Sequence, residues 1–415
     1  MPEDDMLDHY LVLSRKYRPK SLEDLIGEDV LAKSLRSCLD TRKVPHAFLF
    51  YGIRGVGKTT TARILSRCLN CLGSDGKTNV TSSPCGVCRS CIALDKDQHM
   101  DVMEVDAASR TGVDDIREII EATQYAPILG RYKIFIIDEV HMLSKSAFNA
   151  LLKTLEEPPG QAKFIFATTE VQKIPETIMS RCMTFQLKSV SFCAISEYLV
   201  EIAKREHLIL DKDAADAIAD ESEGSVRDAL SILEQAVMLS TESKNVTLDT
   251  VLSILGKARA SDINSLLEYV LTAQTKKALA KADSMMQNGA DPFVLYKSLQ
   301  GALYKKIVDQ VNGQCAECSL SNLLYLWQIF LKQTENMRET SYPEYVLNAA
   351  IVVLAHTSSF PNIEELMIKN PKTPESDDNF DKGGLNASTT QVNKSKQLID
   401  DLLTKFPGAS ATDIE

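Results

Sequence analysis

The sequence lacks a long apolar run, a basic leader and an excess of glycine or proline. Its longest apolar stretches, such as residues 134–137, fall far short of the roughly 18 residues that a membrane span needs. The N-terminal residues MPEDDMLDHY are acidic and show no basic segment followed by an apolar one, so we expect no secretory signal. With 18 glycines and 14 prolines, the composition excludes a fibrous or wholly disordered chain. These absences predict a cytoplasmic globular protein that makes no contact with a membrane.

The sequence also has no excess of positive charge. The formal net charge is −11, and an acidic chain repels nucleic acid on average, which argues against a small basic DNA-binding module. The ten cysteines would be reduced in the cytoplasm, where a cysteine cluster indicates a metal site rather than disulfides. The 415 residues correspond to two to four domains at roughly 100–200 residues per domain.

Three short apolar segments predict buried parallel strands. They are residues 47–51 (AFLFY), 133–137 (KIFII) and 163–167 (KFIFA), and none of them alternates between polar and apolar residues. Helical patterns separate the strands, for example over 146–157. Because strands and helices alternate, the first half of the chain is predicted to form a doubly wound α/β domain.

The rest of the chain has a different character. From about residue 191 strand signals disappear and apolar residues follow helical spacing, with helices predicted at 213–219 and 227–238. The polar C-terminal segment predicts a disordered linker that ends in an amphipathic stretch at 398–406, which is either a frayed tail helix or a docking peptide. We therefore divide the chain into the segments 1–190, 191–256, 257–360 and 361–415.

A phosphate-binding loop follows the first predicted strand. The segment GIRGVGKT at 52–59 fits the pattern G-x-x-x-x-G-K-[ST], and a helical pattern begins directly after it. Glycines let the backbone curl so that its N–H groups face phosphate oxygens. Lys58 would neutralise charge on the β- and γ-phosphates of ATP, and Thr59 would offer its hydroxyl to Mg²⁺. The predicted nucleotide-binding residues of the loop are Gly52, Ile53, Arg54, Gly55, Val56, Gly57, Lys58, Thr59 and Thr60.

An acidic pair follows the second predicted strand. The carboxyl ends of parallel strands face the crevice where such folds bind ligands, so Asp138 is predicted to hold Mg²⁺ together with Thr59. Glu139 is predicted to polarise the attacking water, which makes the protein a hydrolase. Taken alone, the pair could instead be acids that start a helix, where they suit its dipole.

Cysteines in the loop at 68–91 form a candidate metal centre. The run PCGVCRSC places three cysteines at successive C-x2-C spacings, which lets thiolates converge on one tetrahedral ion. We prefer Cys71 as the fourth ligand over Cys68, which lies one helical turn earlier. A closed four-thiolate site predicts structural zinc, and an iron–sulfur cluster or free thiols are the alternatives. The predicted zinc ligands are Cys71, Cys85, Cys88 and Cys91.

These segments together resemble the bacterial DNA polymerase III gamma/tau family, the ATP-hydrolysing clamp-loader subunits of the AAA+ class. The matching stretches include KYRPKSLEDLIGEDV, HAFLFYGIRGVGKTT, DAASRTGVDDIR, YKIFIIDEVHMLSKSAFNALLKTLEEPP, FIFATTE, SRC and GSVRDAL, in the family's order. The resemblance implies an AAA+ P-loop domain with a parallel sheet over 1–190. It also implies a small helical lid over 191–256 and an all-helical oligomerisation domain, the collar, over 257–360.

The resemblance also implies roles for single residues. Thr169 falls at the sensor position that monitors the γ-phosphate, and Arg181 matches the arginine finger that reaches into a neighbouring subunit's site. Arg227 matches the second sensor on the lid, which touches the nucleotide in cis. Tyr17 and Arg18 match the N-terminal segment that covers the adenine. From the sequence alone, each arginine is more often a surface charge or a salt-bridge partner.

The same resemblance suggests where DNA would lie. Arg110 and Thr111 occupy the position where related loaders present a helix to the DNA backbone. The alternative is a local capping box between Thr111 and Asp114. Given the net negative charge, we expect DNA contact on a local surface of the assembly, sensitive to salt and weak for the isolated chain.

The implied activity is ATP hydrolysis within a DNA polymerase III holoenzyme, a DNA-directed DNA polymerase and nucleotidyltransferase assembly. ATP binding and hydrolysis would open a sliding clamp and load it onto primer–template DNA, with ATP, Mg²⁺ and Zn²⁺ as cofactors. The implied partners are other clamp-loader subunits in a hetero-oligomeric ring, the sliding clamp, primer–template DNA and single-stranded-DNA-binding protein. The alternatives are a non-hydrolysing scaffold subunit and another DNA-acting AAA+ ATPase. The segment after residue 360 resembles that of the short, gamma-like form of the family.

Overall fold

The computed structural model describes residues 11–76, 78–109, 111–240, 245–312 and 319–358. The predicted linker and tail helix at 361–415, and Arg110, lie outside the described residues. Among the described helices, none combines the length and the apolar character that a membrane crossing requires.

A five-stranded parallel sheet forms the centre of the first part of the chain, with the strand order β2-β3-β4-β1-β5. The three predicted strands are confirmed, and the two that the sequence did not indicate are the outer strands β2 and β5. An outer strand has a neighbour on one side only, and the mixed sequences VMEVD and MTFQ lack the continuous apolar run of a central strand. The strands are β1 (Ala47–Tyr51), β2 (Val102–Asp106), β3 (Lys133–Asp138), β4 (Ala162–Thr168) and β5 (Met183–Gln186).

Helices cover both faces of this sheet. Successive residues of a strand point to opposite faces, so Ile134 packs toward α2 and α3, whereas Phe135 packs toward α5 and α6. The predicted helix at 146–157 begins one residue earlier, where the Ser144 hydroxyl accepts the Ala147 N–H. The helices of this part are α1 (Leu13–Lys16), α2 (Asp29–Asp40), α3 (Lys58–Asn70), α4 (Arg89–Asp95), α5 (Val113–Ala122), α6 (Lys145–Glu156) and α7 (Glu176–Met179).

The alternative capping box between Thr111 and Asp114 is wrong. Helix α5 begins after Gly112, whose N–H donates to the Asp115 carboxylate at 3.2 Å. The Thr111 carbonyl instead accepts the Ser144 N–H at 3.3 Å, which ties this residue to the loop before α6. Thr111 therefore lies just outside the helix rather than at its cap.

Two further apolar cores lie C-terminal to the sheet. One is built from helices after Val190 and includes Leu13 from the N-terminal segment. Its elements are α8 (Phe192–Arg205), β6 (Ile209–Leu210), α9 (Lys212–Glu221), α10 (Val226–Leu239), β7 (Asn245–Val246) and α11 (Leu248–Ile254). The expectation that strands end before residue 191 is wrong in detail, because β6 and β7 form a two-residue parallel pair.

The last core is entirely helical. Its centre is Tyr296, which is fully buried, packs with its ring tilted against that of Phe330 at a centroid distance of 5.1 Å, and donates its hydroxyl to the Phe330 carbonyl at 2.6 Å. Burying the ring with a satisfied hydroxyl stabilises the packing of two long helices. The helices are α12 (Ala260–Leu271), α13 (Thr275–Gln287), α14 (Pro292–Val311), α15 (Leu320–Glu339) and α16 (Pro343–Thr357).

Candidate active site and candidate metal centre

A cleft of about 890 Å³ lies where β1, β3 and β4 end. Its size falls within the range of about 300–1,000 Å³ that small-molecule sites occupy. The structure brings together in this cleft most of the residues that the sequence predicted for nucleotide binding and hydrolysis. Predicted residues that line it are Arg18, Ile53, Arg54, Gly55, Gly57, Lys58, Thr59, Thr60, Asp138, Glu139, Thr169 and Arg227.

The phosphate-binding loop owes its shape to two glycines in left-handed conformation. Gly55 has φ +75° and Gly57 has φ +106°, and α3 begins directly after Gly57. The N-terminus of α3 therefore opens onto the cleft, where its free N–H groups and dipole favour an anion. Lys58 is the first residue of α3, and its ammonium donates to the carbonyls of Gly52 at 3.1 Å and Ile53 at 2.8 Å. Burial lowers the pKa of Lys58.

We predict that Gly55→Ala disrupts the loop. A Cβ at position 55 would lie 2.0 Å from the Ser225 hydroxyl oxygen, and the left-handed backbone costs a non-glycine residue about 1–2 kcal/mol. Thermal unfolding should show a loss of stability of at least that size, with weaker nucleotide binding. Gly160→Ala is the matched control, because a Cβ there meets no atom within 4 Å. Equal stability and nucleotide affinity for the two variants would contradict the prediction.

Thr59 and Asp138 form an oxygen-donor pair across the cleft. The Thr59 hydroxyl donates to one Asp138 carboxylate oxygen at 2.5 Å, and the other oxygen accepts the Glu139 N–H at 2.9 Å. Oxygen donors with a carboxylate charge, beside a phosphate-binding loop, are the ligands that Mg²⁺ takes in proteins. The two residues come from the start of α3 and the end of β3, which meet at the same edge of the sheet. The pair therefore fits a magnesium ion bound to a nucleotide.

Glu139 is held by the end of β4. Its Oε2 accepts the Thr169 N–H at 3.1 Å and the Thr169 hydroxyl at 2.9 Å, and lies 3.3 Å from His141 Nδ1. Glu139 also has φ +45°, a conformation that is strained for a residue with a Cβ. His141 Nδ1 lies 2.9 Å from the Thr168 hydroxyl. These contacts hold the Glu139 carboxylate against Thr169 rather than leaving it free in solvent.

The N-terminal segment closes a small pocket beside the loop. Tyr17, Arg18 and Val56 line this pocket together with Arg227. The Tyr17 hydroxyl donates to Glu206, the C-cap of α8, at 2.5 Å, and the Tyr17 carbonyl accepts the Tyr198 hydroxyl at 3.3 Å. Burial and the Glu206 carboxylate raise the pKa of Tyr17 to about 12. The segment is thus attached to the helices after residue 190 while it faces the loop.

The predicted arginines differ in their location. Arg227 lies in the first turn of α10, lines the cleft, and its N–H approaches the Gly55 carbonyl at 3.5 Å. Arg181 is not among the residues that line this cleft. It follows α7, where its guanidinium contacts Glu156 at 2.5 Å and donates to the Thr177 carbonyl at 2.6 Å. The structure therefore separates Arg181 from the site of its own chain.

Four thiols converge at a second site. The Sγ atoms of Cys71, Cys85, Cys88 and Cys91 all lie within 4.8 Å of one another. The Cys85, Cys88 and Cys91 N–H groups each donate to the sulfur of the preceding cysteine of the four, at 3.3–3.4 Å. Zinc bound at about 2.3 Å from four thiolates requires such a convergent set.

The competing fourth ligand, Cys68, lies outside this cluster. It is fully buried, its Sγ is 3.8 Å from the Ser82 carbonyl, and burial raises its pKa to about 12. The geometry therefore favours Cys71. The eight cysteines in the described residues form no disulfide.

Sequence reasoning did not identify three residues at the cleft. Asp106 ends β2 directly beside Asp138 in the sheet, His141 touches Glu139, and Ser225 lies against Gly55. Recognising β2 as a strand would have indicated Asp106, because the carboxyl ends of adjacent parallel strands coincide. His141 and Ser225 have no comparable signal in the sequence.

Two family models match consecutive parts of the chain. The model described as DNA polymerase III, delta subunit, matches residues 27–191. The model described as DNA polymerase III clamp loader subunit, ATPase lid domain, matches residues 194–242. Among solved structures, the Holliday junction branch migration motor RuvB of Thermotoga maritima aligns with 61% of this chain and 79% of its own, at 21% identity and a TM-score of 0.43.

Curated relatives match over most of the chain. DNA polymerase III subunit gamma of Buchnera aphidicola subsp. Schizaphis graminum is 41% identical over 329 residues, 79% of this chain and 86% of the relative. DNA polymerase III subunit tau of Bacillus subtilis is 35% identical over 93% of this chain and 71% of the relative. The Escherichia coli subunit tau is 40% identical over 73% of this chain, but the match covers only 46% of that longer protein.

Proposed function

Because this chain belongs to the family of DNA polymerase III gamma and tau subunits, we propose that it is an ATP-hydrolysing subunit of the replicative clamp loader. The observation that carries the proposal is the group of Lys58, Thr59, Asp138, Glu139 and Thr169 in one cleft. ATP binding and hydrolysis would drive the opening of a sliding clamp and its loading onto primer–template DNA. The energy would be used for conformational change, with no covalent chemistry on DNA.

The proposed mechanism assigns one task to each side chain. Lys58 and the N-terminus of α3 bind the phosphates. Thr59 and Asp138 would hold Mg²⁺, and the ion would supply positive charge that neutralises the phosphates. Glu139 orients water and accepts its proton. The Thr169 hydroxyl donates a hydrogen bond to Glu139 Oε2. If Thr169 donated to a phosphate instead, the Glu139 carboxylate would be released for catalysis.

Further residues complete the nucleotide site in this proposal. Tyr17 and Arg18, with Val56, would cover the adenine, because they line the pocket beside the loop. Arg227 would touch the phosphates from the same chain, whereas Arg181, outside the cleft, would act as the finger for a neighbouring subunit's nucleotide. The other proposed nucleotide contacts are Gly52, Ile53, Arg54, Gly55, Gly57 and Thr60.

We place this activity in an assembly. The proposal assigns residues 1–190 to nucleotide binding, 191–256 to the lid and 257–360 to the collar that joins subunits in a hetero-oligomeric ring. The proposed partners are other loader subunits, the sliding clamp, primer–template DNA and single-stranded-DNA-binding protein, within a cytoplasmic DNA polymerase III holoenzyme. A non-hydrolysing scaffold is the less favoured reading, since all residues for hydrolysis are present.

One assay tests the proposed function. ATP turnover is measured for the complete loader, reconstituted with partner subunits, with and without the sliding clamp and primed DNA. We expect stimulation only when clamp and primed DNA are both present. An unstimulated rate in the complete assembly would refute the loader reading, and the absence of any turnover dependent on this chain would favour the scaffold.

We also propose that the four-cysteine cluster holds one structural Zn²⁺. Four ligands from the protein leave no open coordination position for a substrate, which is typical of structural sites. The ion would join the loop after α3 to the start of α4, since Cys71 follows α3 and Cys91 lies in α4.

Cys91→Ser is predicted to remove the metal and destabilise the protein. Cys91 is fully buried, and loss of a structural metal belongs among the most destabilising changes, above about 3 kcal/mol. Elemental analysis should fall from one zinc per chain to none, with a lower unfolding midpoint. Cys68→Ser, at an equally buried thiol outside the cluster, should retain zinc. Iron with visible absorbance in the wild type would establish the iron–sulfur alternative instead.

A further inference from the structure

Two carboxylates after the cysteine cluster each join the N-terminal segment to the helix of the phosphate-binding loop. Asp95 contacts Lys20 at 3.6 Å and also pairs with Arg67 of α3. Asp97 contacts Arg15 at 3.2 Å and also pairs with Arg63 of α3. The same pattern therefore occurs twice, with one cation from residues 11–20 and one from α3 on each carboxylate.

Both carboxylates lie at or just after the C-terminal end of α4, the helix that also holds two of the four cysteines. Helix α4 begins with Cys88 at its N-cap, contains Cys91 and ends at Asp95. Asp97 follows one residue after the C-cap, and its N–H donates to the Leu94 carbonyl at 3.2 Å. The N-terminal end of this seven-residue helix thus carries two of the four thiols, and the two bridging carboxylates lie at and just after its C-terminal end.

The N-terminal segment is the element that these bridges position. Arg15 and Arg18 line both the nucleotide cleft and a second cavity of about 690 Å³, which the bridging residues also line. Arg18 and Tyr17 face the pocket proposed for the adenine. On its other side the segment is attached to α8 through Tyr17 and Glu206. The two carboxylates are its ionic link to α3.

We propose that Asp95 and Asp97 are positioning residues for nucleotide binding. Through these two carboxylates, the metal-bound cysteine cluster holds the N-terminal segment against α3, the helix of the phosphate-binding loop. This inference rests on the proposed function of the cleft and gives the cysteine cluster a task in it. Neither carboxylate lines the nucleotide cleft. They act by restricting the segment to the conformation in which Tyr17 and Arg18 face the loop, which lowers the entropy cost of binding.

The size of the effect follows from the exposure of the ions. An exposed ion pair changes an equilibrium by only about one- to fivefold, and the two cations of the N-terminal segment, Arg15 and Lys20, are both 63% exposed. Loss of both bridges is therefore expected to weaken nucleotide affinity about 3- to 25-fold. Part of the link should also be screened by salt.

The test compares Asp95→Asn/Asp97→Asn with Glu104→Gln in the full chain. Asparagine tolerates the left-handed backbone of Asp97, which has φ +54°. Glu104 is the matched control, because it pairs with Arg63 at 2.7 Å and, among the described residues, makes no hydrogen bond or ion pair with residues 11–20, although its charge also acts on Arg18. The dissociation constant of a fluorescent ATP analogue with Mg²⁺ is measured, together with zinc content and maximal turnover in the reconstituted loader.

We expect the double variant to bind the analogue about 3- to 25-fold more weakly, with zinc content and maximal turnover at saturating ATP retained. Glu104→Gln should bind within about twofold of the wild type. If the double variant is poorly folded, Lys20→Gln tests the same link. This change leaves the Arg67 pair intact and lies outside the cleft, and it should also weaken nucleotide binding. Equal affinity for the wild type, Lys20→Gln and the double variant would overturn the inference.

A second measurement connects the effect to the metal. A chelator selective for zinc over magnesium should weaken nucleotide binding by the wild type but have little further effect on the double variant, because both changes release the same link. Equal sensitivity of both proteins would refute the connection to the cysteine cluster. A wild-type protein that binds no nucleotide would instead refute the proposed function, so the two failures are distinguishable.

Discussion

Replacing Glu139 with glutamine is expected to lower maximal ATP turnover about 10²- to 10⁴-fold while leaving nucleotide binding intact. Glutamine is close to glutamate in shape and can still accept the Thr169 N–H, which donates to Glu139 at 3.1 Å. It cannot accept a proton from water, so the chemical step is lost and the site's shape is kept. Single-turnover hydrolysis in the reconstituted loader, beside a fluorescent nucleotide-binding assay, measures the two effects separately.

Lys58→Ala is the companion variant that separates binding from chemistry. The Lys58 ammonium is buried at the loop and is proposed to bind phosphates, so its loss should abolish nucleotide binding and turnover together. Unchanged turnover in Lys58→Ala would support the scaffold alternative. If Glu139→Gln retains wild-type turnover, Glu139 is not the base.

Arg181→Ala is expected to reduce turnover in the assembled ring by about 10³-fold or more and to leave nucleotide binding by the isolated chain unchanged. The physical reason is location. Because Arg181 lies outside the cleft of its own chain, we expect its guanidinium to stabilise charge on a nucleotide held by a neighbour. The turnover of rings and the affinity of isolated chains are therefore compared for the same variant.

Glu156→Gln is the matched control for Arg181. It removes the carboxylate that contacts the Arg181 guanidinium at 2.5 Å and retains the arginine itself. Turnover near the wild-type value is expected for Glu156→Gln. If both variants lower turnover equally, the ion pair has a structural role and the finger assignment is wrong. If Arg181→Ala weakens binding by the isolated chain, Arg181 serves its own site.

The sequence predicted those elements of the fold whose residues form a clear local pattern of apolar and polar side chains. The central strands were evident because β1, β3 and β4 are buried on both faces and are therefore continuous apolar runs. β2 and β5 lie at the sheet edges, where one side is solvated and the pattern weakens. The capping box at Thr111 failed because a one-residue shift of a helix start depends on which backbone groups find partners.

For the cysteine cluster too, the sequence indicated part of the site and the structure was needed for the rest. The C-x2-C spacing alone identified Cys85, Cys88 and Cys91, because a short loop brings such thiols together in almost any fold. The fourth ligand was ambiguous, since Cys68 and Cys71 are one helical turn apart. The end of α3 at Asn70 favours Cys71, because Cys71 leaves the helix toward the cluster while Cys68 stays in the core.

The sequence and the tertiary structure each determined a different part of the candidate site. With no long apolar run and no excess of positive charge, the sequence by itself determined the chemistry that short motifs encode: a phosphate-binding loop, an acidic pair and a thiol cluster. Only the tertiary structure decided which of these groups meet. Thr169 reaches Glu139 across 30 positions of the chain, and Arg15 reaches Asp97 across 82. Such contacts arise from packing, which spacing along the chain does not record.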